Sequence, residues 1–157
     1  MIEIYTDGAA SGNPGPGGYG AILRSGKHYK ELSGGFRLTT NNRMELLAVI
    51  EALKALKTPG QQVVVFSDSK YVVDSVEKGW VFGWVQKAFK DKKNKDLWLQ
   101  YLQQHKIHQV KFKWIKGHNE HPENERCDQL AVAASKDKAN WAVDAYFEAE
   151  RNTNTLL

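Results

Sequence analysis

Cysteine is almost missing from this chain: Cys127 stands alone in 157 residues, so no disulfide can form within it. A lone thiol fits a reducing cytoplasm. With no activating group marked beside it, Cys127 reads as a small buried helix residue rather than a nucleophile. No apolar run approaches the roughly 20 residues needed to span a bilayer. The opening Met-Ile-Glu-Ile-Tyr lacks the basic segment and long apolar stretch of a secretory signal, so a cytoplasmic location without membrane contact is expected. There is no G-x-x-x-x-G-K-[ST] segment, and the histidines lack zinc spacing. Residues 15–20, Gly-Pro-Gly-Gly-Tyr-Gly, contain G-x-G-x-x-G literally, but a strand follows where a dinucleotide site needs a helix. These glycines are expected to let the loop and hairpin pack closely. Repeats and interdomain linkers are absent too, and the length suits one domain over 1–157.

What is present is charge, unevenly placed. The net charge is +4, yet between Lys78 and Lys116 ten lysines face only Asp91 and Asp96, a local net of +8 that leaves −4 elsewhere. A basic arm of this kind suits a nucleic-acid backbone, and binding through it should weaken as salt rises.

The hydrophobic pattern gives the order of elements. Strands are expected at 2–6, 19–24 and 28–32, with a Gly/Pro-rich loop at 12–18, so the first third reads as an antiparallel meander. Leu46, Val49, Ile50, Leu53 and Leu56 recur at helical spacing, predicting a helix over 42–57 that Thr58-Pro59-Gly60 stops. The apolar run 63–66 reads as a central strand buried on both faces. Helices are expected at 69–77, 81–88 and 97–104. Val110, Phe112 and Trp114 alternate with Lys111 and Lys113, the pattern of a half-exposed strand. Pro122 suits the first turn of a helix reaching 134. Another helix is expected at 140–150, with a frayed tail at 151–157. The order predicts an α/β fold, one mixed sheet with helices on both faces.

Four acids carry the chemistry: Asp7 in Tyr-Thr-Asp-Gly, Glu45 in Asn-Asn-Arg-Met-Glu-Leu, Asp68 in Ser-Asp-Ser and Asp128 in Asn-Glu-Arg-Cys-Asp. Each has an ordinary structural reading. Asp7 could shape a turn, Asp68 could cap the helix beginning at Ser69, and Asp128 could sit on an exposed helix face. Glu45 falls at the capping-box position if Asn42 is the cap. Together they read differently. Asp7 and Asp68 both end predicted strands, where open α/β sheets place their sites, and Glu45 and Asp128 lie near helix beginnings. Acids on a polyanion-binding surface would repel the ligand unless divalent cations lay between. Oxygen-only ligands select a hard cation, magnesium first and manganese as substitute. Carboxylates this crowded should show raised, coupled pKa values without metal.

The blocks TDGAASGNPGPGGYGA, TTNNRMELLAVIEAL, FSDSKYVVDSVEKGW and WIKGHNEHPENERCDQLA resemble, in this order, the motif blocks of type 1 ribonuclease H, over about residues 2–134. The resemblance implies a ribonuclease H-like five-stranded mixed sheet, three antiparallel strands then parallel ones, with a basic protrusion at about 78–98. It implies an endonuclease cutting the RNA strand of RNA/DNA hybrids to 5′-phosphate and 3′-hydroxyl ends, serving primer removal and hybrid clearance. Two Mg2+ ions are implied about 4 Å apart. Asp7 and Asp128 would hold the ion that activates water. Asp7, Glu45 and Asp68 would hold the one that stabilises the departing 3′ oxygen. His118, otherwise a surface histidine of a polar loop, would be a mobile proton shuttle; His121 has no such counterpart and reads as structural.

The same resemblance makes Asn13, Asn41 and Asn42, otherwise turn and cap residues, minor-groove contacts that sense ribose 2′-hydroxyls. Thr40 would grip a phosphate of the DNA strand, with Arg43 supporting it. The arm would clamp that strand through Trp80, Trp84, Lys87 and Lys90, although aromatics so spaced also serve as core. Two departures stand out: the segment between Trp84 and Leu97 is several residues shorter than in familiar bacterial members, and Lys70 replaces a common glutamine that faces the RNA strand. No protein partner is required, and a monomer suffices. Two other readings remain open from sequence, a catalytically inert hybrid-binding module and a transposase- or integrase-like relative. The first needs a lost carboxylate, and the second usually carries further domains.

Overall fold

The computed structural model describes residues 1–117 and 121–156, with side chains as far as Thr153. Strands β1 (Ile2–Ala10), β2 (Gly15–Ser25) and β3 (His28–Thr39) form the expected antiparallel meander. Strands β4 (Gln62–Ser67) and β5 (Gln109–Trp114) add in parallel on the other side of β1, giving the order β3-β2-β1-β4-β5. The mixed five-stranded sheet implied by the resemblance is therefore present. The meander strands are longer than the apolar pattern predicts. Glycines in 15–20 belong to β2 rather than to a loop, because glycine there admits a helix against the sheet.

Helices α1 (Asn41–Lys54), α2 (Lys70–Glu77), α3 (Trp80–Gln86) and α4 (Lys95–Ile107) precede β5, and α5 (Pro122–Lys136) and α6 (Ala145–Leu156) follow it. One sheet face carries Ile4, Val63, Val65, Val110 and Phe112 against α1, α2 and α4, with Trp98 and Tyr101 wholly buried at its centre. On the opposite face α5 lies directly on β2. A Cβ at Gly18 would stand 2.4 Å from the Ala131 carbonyl oxygen, and one at Gly20 2.4 Å from that of Cys127. Cys127 is buried there as expected, its Sγ 3.3 Å from the Tyr5 carbonyl oxygen, and burial holds its thiol well above the ordinary value. His121 packs its ring 5.9 Å from those of Tyr5 and Phe66.

Three expectations are corrected. Trp114 alternates with core residues but is exposed, its ring lying under the Lys70 ammonium instead of against the apolar cluster that includes Phe112. The helix expected at 140–150 is a short 3-10 turn at Lys138–Asn140, then α6 from Ala145. Helix α6 also carries residues after Arg151, expected as a frayed tail, into helical backbone as far as Leu156.

The arm is compact. Between α3 and α4 the chain turns through four non-glycine residues in the left-handed region, Ala88, Phe89, Asp91 and Asn94. That conformation is costly for residues with a Cβ, so contacts must enforce it. Phe89 is buried, its N–H bonds the Trp84 carbonyl oxygen at 2.8 Å, and Trp84 meets Trp98 edge-on at 6.0 Å.

Candidate active site

Asp7 sits where the sheet divides. β1 pairs with β4 only from Ile2↔Val63 to Tyr5↔Phe66, while its pairing with β2 continues through Asp7↔Gly20 to Ala10↔Gly17. Two residues past the last parallel pair, Asp7 leaves the β4 side of the sheet open. Asp68 follows directly on β4. It is not the helix cap: Ser69 caps α2, its Oγ accepting from the Val72 N–H at 3.2 Å. Asp7 therefore lies within β1, not at its end as the sequence predicts, and it meets Asp68 where β1 and β4 part.

Glu45 arrives from α1. The cap of that helix is Thr40, whose hydroxyl oxygen accepts from Arg43 N–H, so Glu45 lies beyond the capping-box position and faces β1 instead. Gly8 permits this approach, since a Cβ there would stand 2.5 Å from the Glu45 nitrogen. The Gly8 N–H then donates to both acids, at 2.9 Å to Asp7 Oδ1 and 2.8 Å to Glu45 Oε1. One carboxylate oxygen each from Asp7, Glu45 and Asp68 lie within 4.8 Å of one another. Asp128, half-buried on α5, stands outside this closest group, yet its charge still acts on Asp7. His118 lies outside the described residues.

The electrostatics are those of crowded carboxylates. Asp7 and Glu45 are buried, and Asp7 Oδ2 and Glu45 Oε2 have no hydrogen-bond partner among the described residues. Burial pushes the Asp7 carboxyl up to about 7; the adjoining Glu45 carboxyl and the Gly8 N–H oppose the rise, and the charges of Asp68 and Asp128 add to it. Glu45 is raised well above its ordinary value, by burial first and then by Asp7. Three converging carboxylates, two of which also carry a buried unpartnered oxygen, fit a hard divalent cation, which would satisfy lone pairs and remove the repulsion.

The expected substrate residues divide. Asn13, Asn41 and Asn42 are exposed and Thr40 half-exposed at the head of α1, where Asn13 Oδ1 accepts from Asn41 N–H at 3.2 Å. Trp80, Lys87 and Lys90 are exposed on the arm. Trp84 is half-buried and packs on the core, with Lys92 Nζ 5.3 Å from its ring centre. Lys70 places its ammonium 4.1 Å from the ring centre of Trp114, whose indole N–H donates to the Asp68 carbonyl oxygen at 3.2 Å.

Arg43 is corrected from substrate residue to internal tie. Its guanidinium is buried and commits its donors to Asp96 at 2.6 and 2.8 Å, Asp144 at 2.7 and 2.9 Å, and Asn94 at 3.3 Å. None is left for a ligand. Burial disfavours its charge, but Asp96 and Asp144 more than offset that and raise its pKa.

Two residues near the acids in space or along α5 escaped the motif reading. Gly8 supplies the N–H that joins two acids, for which Asp-Gly gave only a turn signal. Asn124 is fully buried one helical turn before Asp128, with both amide atoms unpartnered among the described residues. Its place at 124, four residues from Asp128, was the available clue.

This geometry has counterparts. Residues 1–136 match the RNase H family model. A ribonuclease H of Desulforamulus reducens is 56% identical over 140 residues, covering 86% of this chain and 87% of that one. One of Trichodesmium erythraeum is 55% identical over 140 residues, covering 86% and 88%. Among solved structures, LC9-RNase H1, described as a type 1 RNase H with the type 2 active-site motif, superposes with a TM-score of 0.76 at 35% identity, covering 85% of this chain and 71% of that one. LC11-RNase H1, solved in complex with an RNA/DNA hybrid, gives 0.67 at 29% identity, covering 88% and 99%. With the family model spanning most of its length and such relatives matching across most of both chains, this protein belongs to the RNase H family.

Proposed function

We propose that the protein hydrolyses the RNA strand of RNA/DNA hybrids as a metal-dependent endonuclease. The observation that carries this reading is the convergence of Asp7, Glu45 and Asp68, two of them with buried unpartnered oxygens, in a chain of the RNase H family. Membership makes the family's metal dependence this chain's own. The choice of Mg2+, with Mn2+ as substitute, rests on the all-oxygen donor set. Asp7, Glu45, Asp68 and Asp128 would hold two such ions. Bound there, they supply Lewis acidity at the phosphoryl oxygens and a more acidic water.

The chain's own residues do the rest. Water attacks phosphorus in line and the bond to the 3′ oxygen breaks, leaving a 5′-phosphate and a 3′-hydroxyl. His118 would carry protons to and from the site. Asn13, Asn41 and Asn42 would meet base edges and 2′-hydroxyls in the minor groove. Thr40, whose oxygen already accepts from Arg43 N–H, keeps its hydroxyl hydrogen to donate to a phosphate of the DNA strand. Lys70 would meet the RNA strand, and Trp80, Lys87 and Lys90 the DNA strand, with Trp84 supporting the arm from behind. The reading has one copy acting alone in the cytoplasm, where the unpaired thiol of Cys127 would stay reduced.

The ends of the product test the chemistry. With labelled RNA annealed to DNA, Mg2+ should yield fragments whose 3′ ends a polymerase extends and whose 5′ ends a phosphatase shortens by one phosphate. Fragments ending in 2′,3′-cyclic phosphate would mark attack by the RNA's own 2′-hydroxyl and would overturn this mechanism.

A further inference from the structure

Beyond residue 136, where the family match ends, the chain folds back against the substrate side of the molecule. Ala142 bridges to Phe36, its N–H donating to the Gly35 carbonyl oxygen at 2.9 Å, and Arg37 N–H bonds the Ala142 carbonyl oxygen at 3.1 Å. Arg37 also grips Glu148 of α6 at 2.7 and 2.9 Å. Just before α6, Asp144 takes both Arg43 and the Thr39 hydroxyl. Arg43 and Thr39 flank Thr40 and the start of α1. The C-terminal helix is thus fixed to the residues that present Thr40.

That attachment creates a groove of about 640 Å³ with three sides. Asn13 and Thr40 stand on one side, and Lys92 and Lys93 of the arm on another. The third is α6, which contributes Phe147, Glu150 and Arg151. Its charged lining is three cations against one carboxylate. A mainly cationic trough with one aromatic ring, Phe147, in its wall matches a sugar-phosphate strand.

We propose that α6 forms the outer wall of the seat for the hybrid's DNA strand, so that the strand runs from Thr40 between the arm and the C-terminal helix. This rests on the hybrid reading given above. The C-terminal helix then adds to affinity without touching the reacting phosphate.

Opposite charge changes on α6 test it. Arg151→Glu and Glu150→Lys, both exposed positions, are made in the full chain beside Lys92→Glu on the arm. Hybrid binding is followed by anisotropy in an Asp7→Asn background, where the bound RNA stays intact. Arg151→Glu should weaken binding and flatten the salt slope by about 1, whereas Glu150→Lys should tighten binding and steepen it. A slope change of that size alters the affinity ratio to wild type about 3.5-fold between 50 and 200 mM salt. In the cleavage-competent chain KM should move with kcat unchanged. Wild-type affinity and slope in both α6 variants, with Lys92→Glu altered, would overturn the role of α6 and leave the hybrid reading standing. Equal binding of hybrid and DNA duplex by the unaltered chain would instead remove the hybrid reading, and this inference with it.

Discussion

Asp7→Asn should make the metal-free protein more stable, and only at higher pH. Asp7 is buried beside Glu45, with one oxygen unpartnered and its pKa raised from 3.8 to about 7. A carboxyl whose folded pKa exceeds its unfolded one contributes stability that is complete below the unfolded value. That contribution is lost as pH rises through the folded value, here between about pH 4 and 7. A three-unit shift corresponds to about 4 kcal/mol. Because Asp7 and Glu45 repel each other, the cost belongs to the pair, and removing one charge should recover on the order of 2 kcal/mol. Asparagine keeps an oxygen for the Gly8 N–H, so the fold loses no bond. For a chain of this size the gain is a rise in Tm of about 4–8 °C near pH 8, shrinking to nothing near pH 4. Thermal unfolding in EDTA across that range measures it. Mg2+ should raise the wild-type Tm near pH 8 and raise the variant's less, because the ion binds the ionised cluster. A variant that melts no higher than wild type near pH 8 in EDTA would refute the reasoning, since Asp7 would then carry no buried uncompensated charge.

Arg43→Met should cost about 3–5 kcal/mol in urea unfolding, because the buried Asp144 and the half-buried Asp96 lose their shared cation; a loss under 1 kcal/mol would show that the tie contributes little. Gly8→Ala should destabilise by about 1–3 kcal/mol and sharply lower cleavage, since the new methyl meets the Glu45 backbone nitrogen at 2.5 Å. Full activity in that variant would mean that α1 can shift without disturbing the acids. Trp80→Ala should leave stability within about 0.5 kcal/mol while weakening hybrid affinity, whereas Trp84→Ala should lower stability first, its ring packing on Trp98.

The parts legible in the sequence were those written locally. Alternation, helical spacing and the Pro122 start gave the order of elements and hence the mixed sheet. Asp68 was legible because it need only follow β4 to reach the place where β1 and β4 part; Asp7 reaches the same place from inside β1, which runs on to Ala10 beside β2. Reading failed where distant residues decide. Arg43 looks like any exposed cation near a helix start until Asp144, 101 residues away, folds over it. Glu45 seemed placed for a capping box, but Thr40 took the cap and Gly8 let the whole helix down onto β1. Trp114 obeys the alternation of its strand and is still exposed, since periodicity cannot tell that its ring lies under Lys70 from the start of α2. The place of α6 depends on a bridge between Phe36 and Ala142 that no local pattern announces.

The most direct measurement is cleavage of matched RNA/DNA, RNA/RNA and DNA/DNA duplexes in Mg2+, wild type beside Asp7→Asn. The account predicts that wild type cuts only the RNA strand of the hybrid and that Asp7→Asn cuts nothing while still binding it. A wild-type protein that binds the hybrid but leaves every strand intact in both Mg2+ and Mn2+ would contradict it, and the carboxylate cluster would then belong to a binding module instead of an enzyme.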